Sequence, residues 1–323
     1  MKSRILLAAL GFAFALTLLT GCHGDGNNSD KFAKRVLSVK STHSGARPIK
    51  VVVTTGMVAD LVRNVGGSLV QVDQLMGADV DPHLYKATST DVDKLNKADV
   101  VFYSGLHLEG KMAETLERLG RKRNAFAVAE YLDPSKVLTD EHKHPDPHVW
   151  FDVELWSEVA QVIGDALAMY DPANAETYKK QTTSYRAELA KVHAEAKTVI
   201  AAITPKEKRV LITSHDAFRY FGRAYDIEVK GIQGISTDAE ASVRDINNLV
   251  DFIVARKVNA VFVETSVNQR NMKSLQEGCK ARGHDVALGG ELFSDAMGKD
   301  GTPEGTYIGM IRHNVETIAK ALR

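Results

Sequence analysis

The sequence predicts an α/β fold of two lobes, each a mostly parallel sheet flanked by helices, joined by one long rigid backbone helix. The helix is predicted over residues 171–205, where no Gly or Pro interrupts the chain between Pro172 and Pro205. Its larger apolar side chains are spaced by threes, fours and sevens, which places them on one helical face. On both sides of it, apolar strand-like runs alternate with amphipathic segments, as in parallel sheets. With 323 residues, 44 % of them hydrophobic, the chain can fill two cores.

The long helix is expected to join the two lobes. At 1.5 Å per residue it would be about 45–50 Å long, which exceeds one small lobe. Asp171 is expected to cap its first turn, and Pro172 suits the first helical position. The alternative is one long helix on the outside of a single domain. The two-lobe interpretation divides the chain into an N-terminal lobe (48–170), a linking helix (171–204) and a C-terminal lobe (205–323).

The first residues predict export. Two basic residues precede an apolar stretch over residues 5–19, which has the length of a signal-peptide core. The stretch leads to Thr20-Gly21-Cys22, and small residues before a cysteine resemble a bacterial lipobox. Residues 1–22 are therefore expected to be a lipoprotein signal peptide, with Cys22 as the lipid-modified residue. An ordinary cleaved signal or a short membrane anchor is the alternative.

The rest of the sequence indicates a tethered globular protein without disulfide bonds or a later membrane span. Residues 23–47 are rich in Gly, Asn, Ser, Lys and His, which predicts a flexible tether. No later segment is long and apolar enough to cross a bilayer. Cys22 and Cys279 are the only cysteines, so a disulfide framework is excluded, and Cys279 is expected to be an inert, partly buried thiol. The balance of 41 basic and 41 acidic residues gives no electrostatic case for nucleic acid. We expect a monomer.

The N-terminal lobe is predicted to contain four strands, and its loops carry a repeated tripeptide. The strands are expected at 49–54, 68–75, 98–104 and 125–129, with helices at 57–65 and from Thr90, the latter capped by Ser89. Asp81-Pro82-His83 follows the second strand, and Asp146-Pro147-His148 follows the fourth. Ligands bind beyond the carboxyl ends of the strands in open sheets of this kind.

Each tripeptide presents a histidine in a fixed direction. The proline fixes one backbone dihedral and restricts the residue before it, and a metal-binding histidine needs such a fixed presentation. His83 and His148 are therefore candidates for a shared metal site, with two solvated loop histidines as the alternative. His142 and His144 lie on the polar segment before the second tripeptide, where they either recruit metal or are simply solvated.

The C-terminal lobe repeats the alternation of strands and helices. Strands are expected at 209–213, 228–235, 260–264 and 285–289, and helices from Ser214-His215-Asp216, from Ser242, over 271–282 and over 304–322. Asp216 is expected in a first helical turn, where the helix dipole favours an acid. His215 and Asp295 fall just past strand ends.

Three imidazoles and one carboxylate, two from each lobe, would enclose a divalent transition metal. The candidate ligands are His83, His148, His215 and Asp295. Imidazole suits Zn, Fe and Mn to differing degrees, and a carboxylate moves the site toward harder metals. A catalytic zinc keeps one position open for water. A site filled by protein therefore favours binding for transport, and no catalytic residue is predicted. A metal-dependent hydrolase on the same lobes is the alternative.

Five stretches, in this order, carry a resemblance to a known family. They are Asp81-Pro82-His83-Leu84-Tyr85, Gly105-Leu106-His107-Leu108-Glu109, Asp146-Pro147-His148-Val149-Trp150-Phe151-Asp152, Ser214-His215-Asp216-Ala217-Phe218 and Glu291-Leu292-Phe293-Ser294-Asp295-Ala296-Met297-Gly298. From about residue 51 to residue 322, the chain resembles the metal-binding solute receptors of bacterial ABC importers. The resemblance is to the ZnuA-like cluster A-I, and most strongly to its TroA-type members.

The resemblance implies two α/β lobes joined by a rigid helix, with the metal ligands at the four candidate positions. It also implies an extracytoplasmic lipoprotein that captures Zn²⁺ or Mn²⁺, with Fe²⁺ as a further candidate, and delivers it to an ABC permease. The protein would be anchored through Cys22 in the cell envelope, in the periplasm or on the outer face of the cytoplasmic membrane. Manganese-type members tend to have Glu where this chain has His215, which places zinc first. A surface adhesin is a further alternative.

Overall fold

The computed structural model describes residues 36–45 and 47–323, which fall within one compact unit, Lys34–Arg323. The predicted signal peptide, its lipobox Cys22 and the first part of the predicted tether lie outside the described residues. Within them, no helix is long and apolar enough to cross a membrane.

Residues 36–45 and 47, at the end of the predicted tether, contact the N-terminal lobe. The backbone N–H of Lys40 donates to Asn124 Oδ1 (2.7 Å), and the backbone N–H of His43 donates to the carbonyl oxygen of Tyr170 (2.6 Å). The Arg47 guanidinium also forms two hydrogen bonds with the Asp99 carboxylate. This part of the segment is therefore held against the lobe by hydrogen bonds to three separate elements.

The N-terminal lobe is built on four parallel strands with helices between them. Its elements are β1 (Ile49–Val53), α1 (Gly56–Gly66), β2 (Val70–Gln74), α2 (Ser89–Lys97), β3 (Val100–Tyr103), α3 (Ala113–Lys122), β4 (Ala125–Ala127) and α4 (Val153–Tyr170). The strands lie in the order β2-β1-β3-β4, so the apolar β1 and β3 are central. All four predicted strands are present, each slightly shorter than expected. The predicted cap at Ser89 is wrong, because Thr88 caps α2 through reciprocal hydrogen bonds with Asp91.

The C-terminal lobe contains two pairs of parallel strands. Its elements are β5 (Val210–His215), α6 (Arg219–Tyr225), β6 (Glu228–Gln233), α7 (Val243–Arg256), β7 (Ala260–Glu264), α8 (Arg270–Ala281), β8 (Ala287–Leu292) and α9 (Tyr307–Leu322). β5 pairs with β6 and β7 pairs with β8, while β5 lies beside β7. The helix predicted from about Ser242 is α7, which Ser242 caps through reciprocal hydrogen bonds with Asp245, and Cys279 is buried in α8.

The predicted helix start at Ser214-His215-Asp216 is wrong. β5 continues to His215, and α6 begins only at Arg219. Asp216 therefore lies in the connecting loop, outside any first helical turn, with its carboxylate 3.8 Å from Arg219 Nε. The backbone N–H of His215 donates to the Glu264 side chain at the end of β7 (2.9 Å), which holds this residue in the extended strand.

The predicted linking helix is α5 (Ala175–Ala201), which contacts helices of both lobes. With 27 residues it is about 40 Å long, shorter than expected because the chain enters through a 3₁₀ turn, Pro172–Asn174. The predicted apolar stripe is confirmed at Tyr178, Tyr185, Leu189, Val192 and Ala196, which share the buried face with Thr182 and Ile200. Of the two remaining predicted residues, Val199 is only half-buried and Ile203 lies beyond the end of the helix. This face packs against α1 and α4 on one side and α9 on the other.

Asp171 does not cap this helix, contrary to expectation. Asn174 is the N-cap residue of α5, and its side chain makes no capping hydrogen bond. The Asp171 carboxylate instead accepts hydrogen bonds from Asn174 Nδ2 (2.8 Å) and the Tyr178 hydroxyl (3.0 Å). The carboxylate therefore fixes the turn between α4 and α5 through side chains.

A continuous hydrophobic core crosses the boundary between the lobes. It joins the N-terminal sheet, the buried face of α5 and apolar residues of α6 and α9. The rings of Phe151 and Phe218 stack with centroids 4.2 Å apart, and the Tyr307 hydroxyl donates to the Trp150 carbonyl oxygen (2.6 Å). Because packed side chains are shared, the lobes cannot separate widely without exposing them to water.

Gly164 allows the close approach of α4 to α5, and we expect Gly164→Val to destabilise the fold. A Cβ atom at residue 164 would lie 2.2 Å from Thr182 Oγ1 and 3.2 Å from Thr182 Cβ, in a buried contact. Overpacking of this kind costs about 1–3 kcal/mol, which lowers the melting temperature by about 2–4 °C per kcal/mol in a protein of this size. The control is Ala187→Val on the exposed face of α5. Equal melting temperatures for the two variants in calorimetry would contradict the prediction.

Candidate metal centre

His83 is presented by the loop between β2 and α2. Asp81 Oδ1 accepts a hydrogen bond from the backbone N–H of His83 (2.8 Å), so the tripeptide Asp81-Pro82-His83 forms a tight side-chain-to-backbone turn. The imidazole is almost completely buried, with 3 % of the residue exposed. The sequence analysis assigned the fixed direction of this histidine to the proline alone, and the structure adds the hydrogen bond to Asp81.

His148 lies in the second tripeptide, which forms the same kind of turn as the first. In this turn the aspartate also contacts the imidazole ring. Asp146 Oδ1 is bonded to both the backbone N–H of His148 (3.1 Å) and its Nδ1 (2.8 Å). The carboxylate is completely buried and its second oxygen lies 3.5 Å from Arg219 Nη1. The carboxylate therefore fixes the orientation of the ring and directs Nε2 toward the interior of the site.

His215, the last residue of β5, is held by Glu264, the last residue of β7. Glu264 Oε2 lies 2.5 Å from His215 Nδ1, while Oε1 accepts the His215 backbone N–H. Sequence reasoning assigned no role to Glu264. The available signal is its position, because a carboxylate ends an otherwise apolar and fully buried strand, Ala260–Glu264.

Asp295 follows β8 and is the only candidate ligand with a negative charge. Its neighbour Ser294 accepts a hydrogen bond at its carbonyl oxygen from Trp150 Nε1 (3.1 Å), which connects this loop to the residues after His148. Asp295 is 2 % exposed, and neither carboxylate oxygen has a hydrogen-bond partner that satisfies its buried position. A buried carboxylate in that condition requires a nearby positive charge.

The structure brings all four predicted residues together. One donor atom from each of His83, His148, His215 and Asp295 lies within 4.8 Å of every other. Asp295 oxygens lie 3.3 Å from His215 Nε2, 3.4 Å from His148 Nε2 and 3.5 Å from His83 Nε2. Ligands at the corners of a tetrahedron with zinc bonds of about 2.0–2.1 Å lie about 3.3–3.4 Å apart. The donor set therefore fits one divalent metal ion.

The chain matches a known protein family over most of its length. The family described as zinc-uptake complex component A, periplasmic (ZnuA), matches residues 51–321. The chain belongs to the ZnuA family. This ZnuA-family chain is 43 % identical to the manganese-binding lipoprotein MntA of Bacillus subtilis, over 100 % of both chains. It is 29 % identical to the iron ABC transporter substrate-binding lipoprotein MtsA of Streptococcus pyogenes serotype M1, over 97 % of both.

A solved structure confirms the predicted two-lobed fold. The periplasmic zinc binding protein TroA from Treponema pallidum is similar to this ZnuA-family chain with a TM-score of 0.83 and 46 % sequence identity, covering 85 % of this chain and 99 % of that one. The predicted resemblance to this family, and to TroA within it, is therefore confirmed.

The electrostatics of the site differ between its histidines. Burial lowers the pKa of His83 to about 4, and Asp295 offsets only part of that effect. Burial also opposes charge on His148, but the hydrogen bond with Asp146 and the nearby charge of Asp295 prevail and raise its pKa to about 9. In His215, Glu264 and Asp295 likewise overcome burial, so the pKa lies well above its usual value. The two imidazoles in turn hold the pKa of Asp295 well below its usual value, despite burial.

His142 and His144 do not reach the four-residue cluster. Both are exposed, with 70 % and 74 % of their side chains accessible, and His144 Nδ1 is paired with Asp140 Oδ2 (3.0 Å). His144 lines a cleft that also includes His83, so it lies on the solvent side of the site. A direct ligand role for His142 and His144 has no support in this geometry.

Metal binding is expected to displace protons from His148 and His215. Both imidazoles have raised pKa values without metal, so they hold protons at neutral pH, and a metal binds only their neutral form. The affinity is therefore expected to rise with pH up to about 9. If the imidazoles of His148 and His215 had an ordinary pKa of about 6.5, the protein would instead lose its metal only below about pH 6.

The measurement is isothermal titration calorimetry with ZnCl₂ at pH 7, in buffers of different ionisation enthalpy. Release of about two protons per metal is expected, one from each raised imidazole and none from His83. No proton release at pH 7 would contradict the assignment of protonated His148 and His215 in the metal-free protein.

Proposed function

We propose that this chain is an extracytoplasmic receptor that binds one divalent transition metal between its two lobes and delivers it to an ABC permease. The observation that carries the proposal is the buried four-residue cluster, whose donor atoms lie within 4.8 Å of one another and are therefore close enough to bind one metal ion. His83 and His148 come from the N-terminal lobe, and His215 and Asp295 from the C-terminal lobe. Membership in the ZnuA family supports a transport role for the bound metal.

The metal is proposed to be Zn²⁺ first and Mn²⁺ second, with Fe²⁺ as a further candidate. Three imidazoles favour zinc, and the affinity order of divalent metals also places zinc above iron and manganese. The relatives are named for manganese, iron and zinc. Because their names differ in metal, the choice for this chain depends on its own donor set of three histidines and one aspartate.

Binding is favoured over catalysis by the number of protein ligands. A catalytic zinc retains a position for water, whereas four side chains fill a tetrahedral site. The donor atoms of His148 and His215 are oriented by buried carboxylates, Asp146 and Glu264, which makes both rings better ligands. A metal-dependent hydrolase on this scaffold would need an exchangeable metal-bound water, so the geometry supports the receptor instead.

The membrane arrangement is part of the same proposal. A lipid on Cys22 would tether the receptor to the cell envelope, and the relatives named as lipoproteins support this arrangement. The divisions at residues 48–170, 171–204 and 205–323 are proposed as the N-terminal lobe, the linking helix and the C-terminal lobe. Only the permease and the membrane are proposed as partners of the monomer.

Asp295→Ala is expected to weaken zinc binding by about a hundredfold or more, because it removes the only anionic ligand. The matched control is Asp300→Ala, which removes an exposed carboxylate from the same loop region. His142→Ala should also leave the affinity within about twofold, since this side chain is solvated. Competition with a chelating dye measures the affinities. Equal affinities for Asp295→Ala and Asp300→Ala would contradict the site.

The metal itself is identified by elemental analysis of the protein beginning at residue 23, purified without added metal. One equivalent of zinc is expected, and a hundredfold excess of MnCl₂ should not displace it, because the order of affinities favours zinc. Ready exchange would assign manganese, or both metals, as the cargo. If no metal bound under any loading condition, the proposed function would be wrong.

A further inference from the structure

A stretch of basic residues follows the predicted lipid anchor in the sequence. Between Asp30 and Asp60 the chain has no acidic residue, although the whole chain has 41 acidic and 41 basic side chains. The basic residues of this stretch are Lys31, Lys34, Arg35, Lys40, Arg47 and Lys50. Clusters of Lys and Arg beside a membrane attachment point attract anionic lipids. The positive charge is therefore concentrated in the part of the chain that connects the anchor to the N-terminal lobe.

The structure adds basic residues of α3 to this stretch. A cleft of about 440 Å³ is lined by Lys40 and by Arg121 and Arg123 at the end of α3. Glu117 is the single acidic group among the described residues that line it. Lys40, Arg121 and the adjacent Lys122 are exposed, and none of them forms an ion pair with another described residue. Lys40, Arg121, Lys122 and Arg123 therefore form a basic surface with an excess of positive charge.

The basic surface and the metal centre lie at opposite edges of the N-terminal sheet. The segment 40–50 bonds to Asn124 and Asp99, which directly precede β4 and β3. β1–β4 are parallel, so their first residues lie at one edge and their last residues at the other. His83 and His148 come from loops that follow strands. A bilayer in contact with the basic surface would therefore leave the metal centre on the side away from the membrane.

The chain length allows a lipid on Cys22 to bring the bilayer close to the basic surface. From residue 22 to residue 36 a fully extended chain spans at most about 50 Å. Beyond Val36, the hydrogen bond between the Lys40 backbone and Asn124 attaches the chain beside the cleft. The anchor would therefore keep lipid headgroups at a high local concentration near the surface.

We propose that the basic surface binds the anionic phospholipid headgroups of the membrane to which the receptor is anchored. This inference rests on the lipid at Cys22, which belongs to the proposed function. A receptor bound in this way presents its metal cleft to the solution, which suits the capture of metal. Delivery to the permease then requires the receptor to leave the headgroups. Attraction between exposed charges suits such a reversible contact, because it is weak and screened by salt.

The experiment measures sedimentation with lipid vesicles. The protein beginning at residue 23 lacks the lipid but contains the whole compact unit Lys34–Arg323. At low salt it is expected to bind vesicles of equal parts phosphatidylglycerol and phosphatidylcholine, and not vesicles of phosphatidylcholine alone. Salt at 1 M should release it, since the screening length falls to about 3 Å. The triple variant Lys40→Gln, Arg121→Gln, Lys122→Gln should bind about a hundredfold more weakly, about fivefold for each charge.

A second triple variant controls for net charge. Arg244→Gln, Lys273→Gln, Lys280→Gln removes the same charge from exposed positions on α7 and α8 and should bind these vesicles within about twofold of the parent protein. Arg123 stays unchanged in both variants, because its guanidinium donates to backbone carbonyl oxygens, including that of Ala98 (3.1 Å). Zinc affinity should be the same in the parent protein and in both variants.

The orientation is measured on the complete lipidated protein in the same vesicles, with a nitroxide on a fraction of the headgroups. A dye is attached to Ser38→Cys beside the basic surface, or to Ser236→Cys beside the metal cleft. The native Cys279 is buried and does not compete for the dye. Strong quenching is expected at residue 38 and little at residue 236, and 1 M salt should remove the difference.

Several outcomes would overturn the inference. Equal loss of vesicle binding in the two triple variants would show that only net charge matters, and equal binding to phosphatidylcholine would exclude anionic headgroups. Equally tight binding of soluble glycerol phosphate would identify a small-anion site instead of a membrane surface. Equal quenching at residues 38 and 236 would contradict the orientation. If mass spectrometry found no lipid on Cys22, the anchor in the proposed function would fail, which is distinguishable because vesicle binding by the protein beginning at residue 23 does not depend on it.

Discussion

The arrangement of the site depends on one buried carboxylate. Asp295 is almost completely buried, and within residues 47–323 the groups that face its oxygens are the surrounding imidazoles. An isolated buried charge is costly, so this group needs positive charge within contact distance in every state of the protein. The required charge comes from protonated imidazoles in the metal-free protein and from the metal in the loaded protein. The pairing of His148 from one lobe with His215 from the other follows from that requirement.

The buried carboxylates in and around the site are balanced by an equal number of positive charges. Asp146, Glu264 and Asp295 are three buried negative groups, and Arg219 contacts Asp146 from the rim of the cleft. Two raised imidazole pKa values supply two protons when no metal is bound, so three negative groups face three positive ones. A divalent metal that displaces those two protons leaves the total unchanged. The exchange of two protons for one divalent metal ion therefore keeps the charge of the site constant and leaves no uncompensated buried group.

The four residues that cluster were all predicted from the sequence, whereas the residues that hold them in place were not. The period of the long helix and the repeated Asp-Pro-His tripeptides are local patterns, and both α5 and the clustered histidines agree with them. The helix start at Ser214-His215-Asp216 was wrong because Glu264, which lies 49 residues further along the chain, holds the backbone of His215 in β5. Asp81 and Asp146 occupy equivalent turns, yet one bonds Thr237 and the other bonds an imidazole. Such differences depend on tertiary contacts, which local patterns do not contain.

The shared core limits how the site can open. The hydrophobic cluster continues from the N-terminal sheet through α5 to α9, so a wide separation of the lobes would expose packed apolar surface. His148 and Trp150 lie against this core, and His215 ends a fully buried strand. The loop that carries His83 is different, because it lies over the cleft and is attached to the opposite lobe by few polar contacts. A shared core of this kind keeps the lobes in place, so any opening of the site is confined to local movement of its loops.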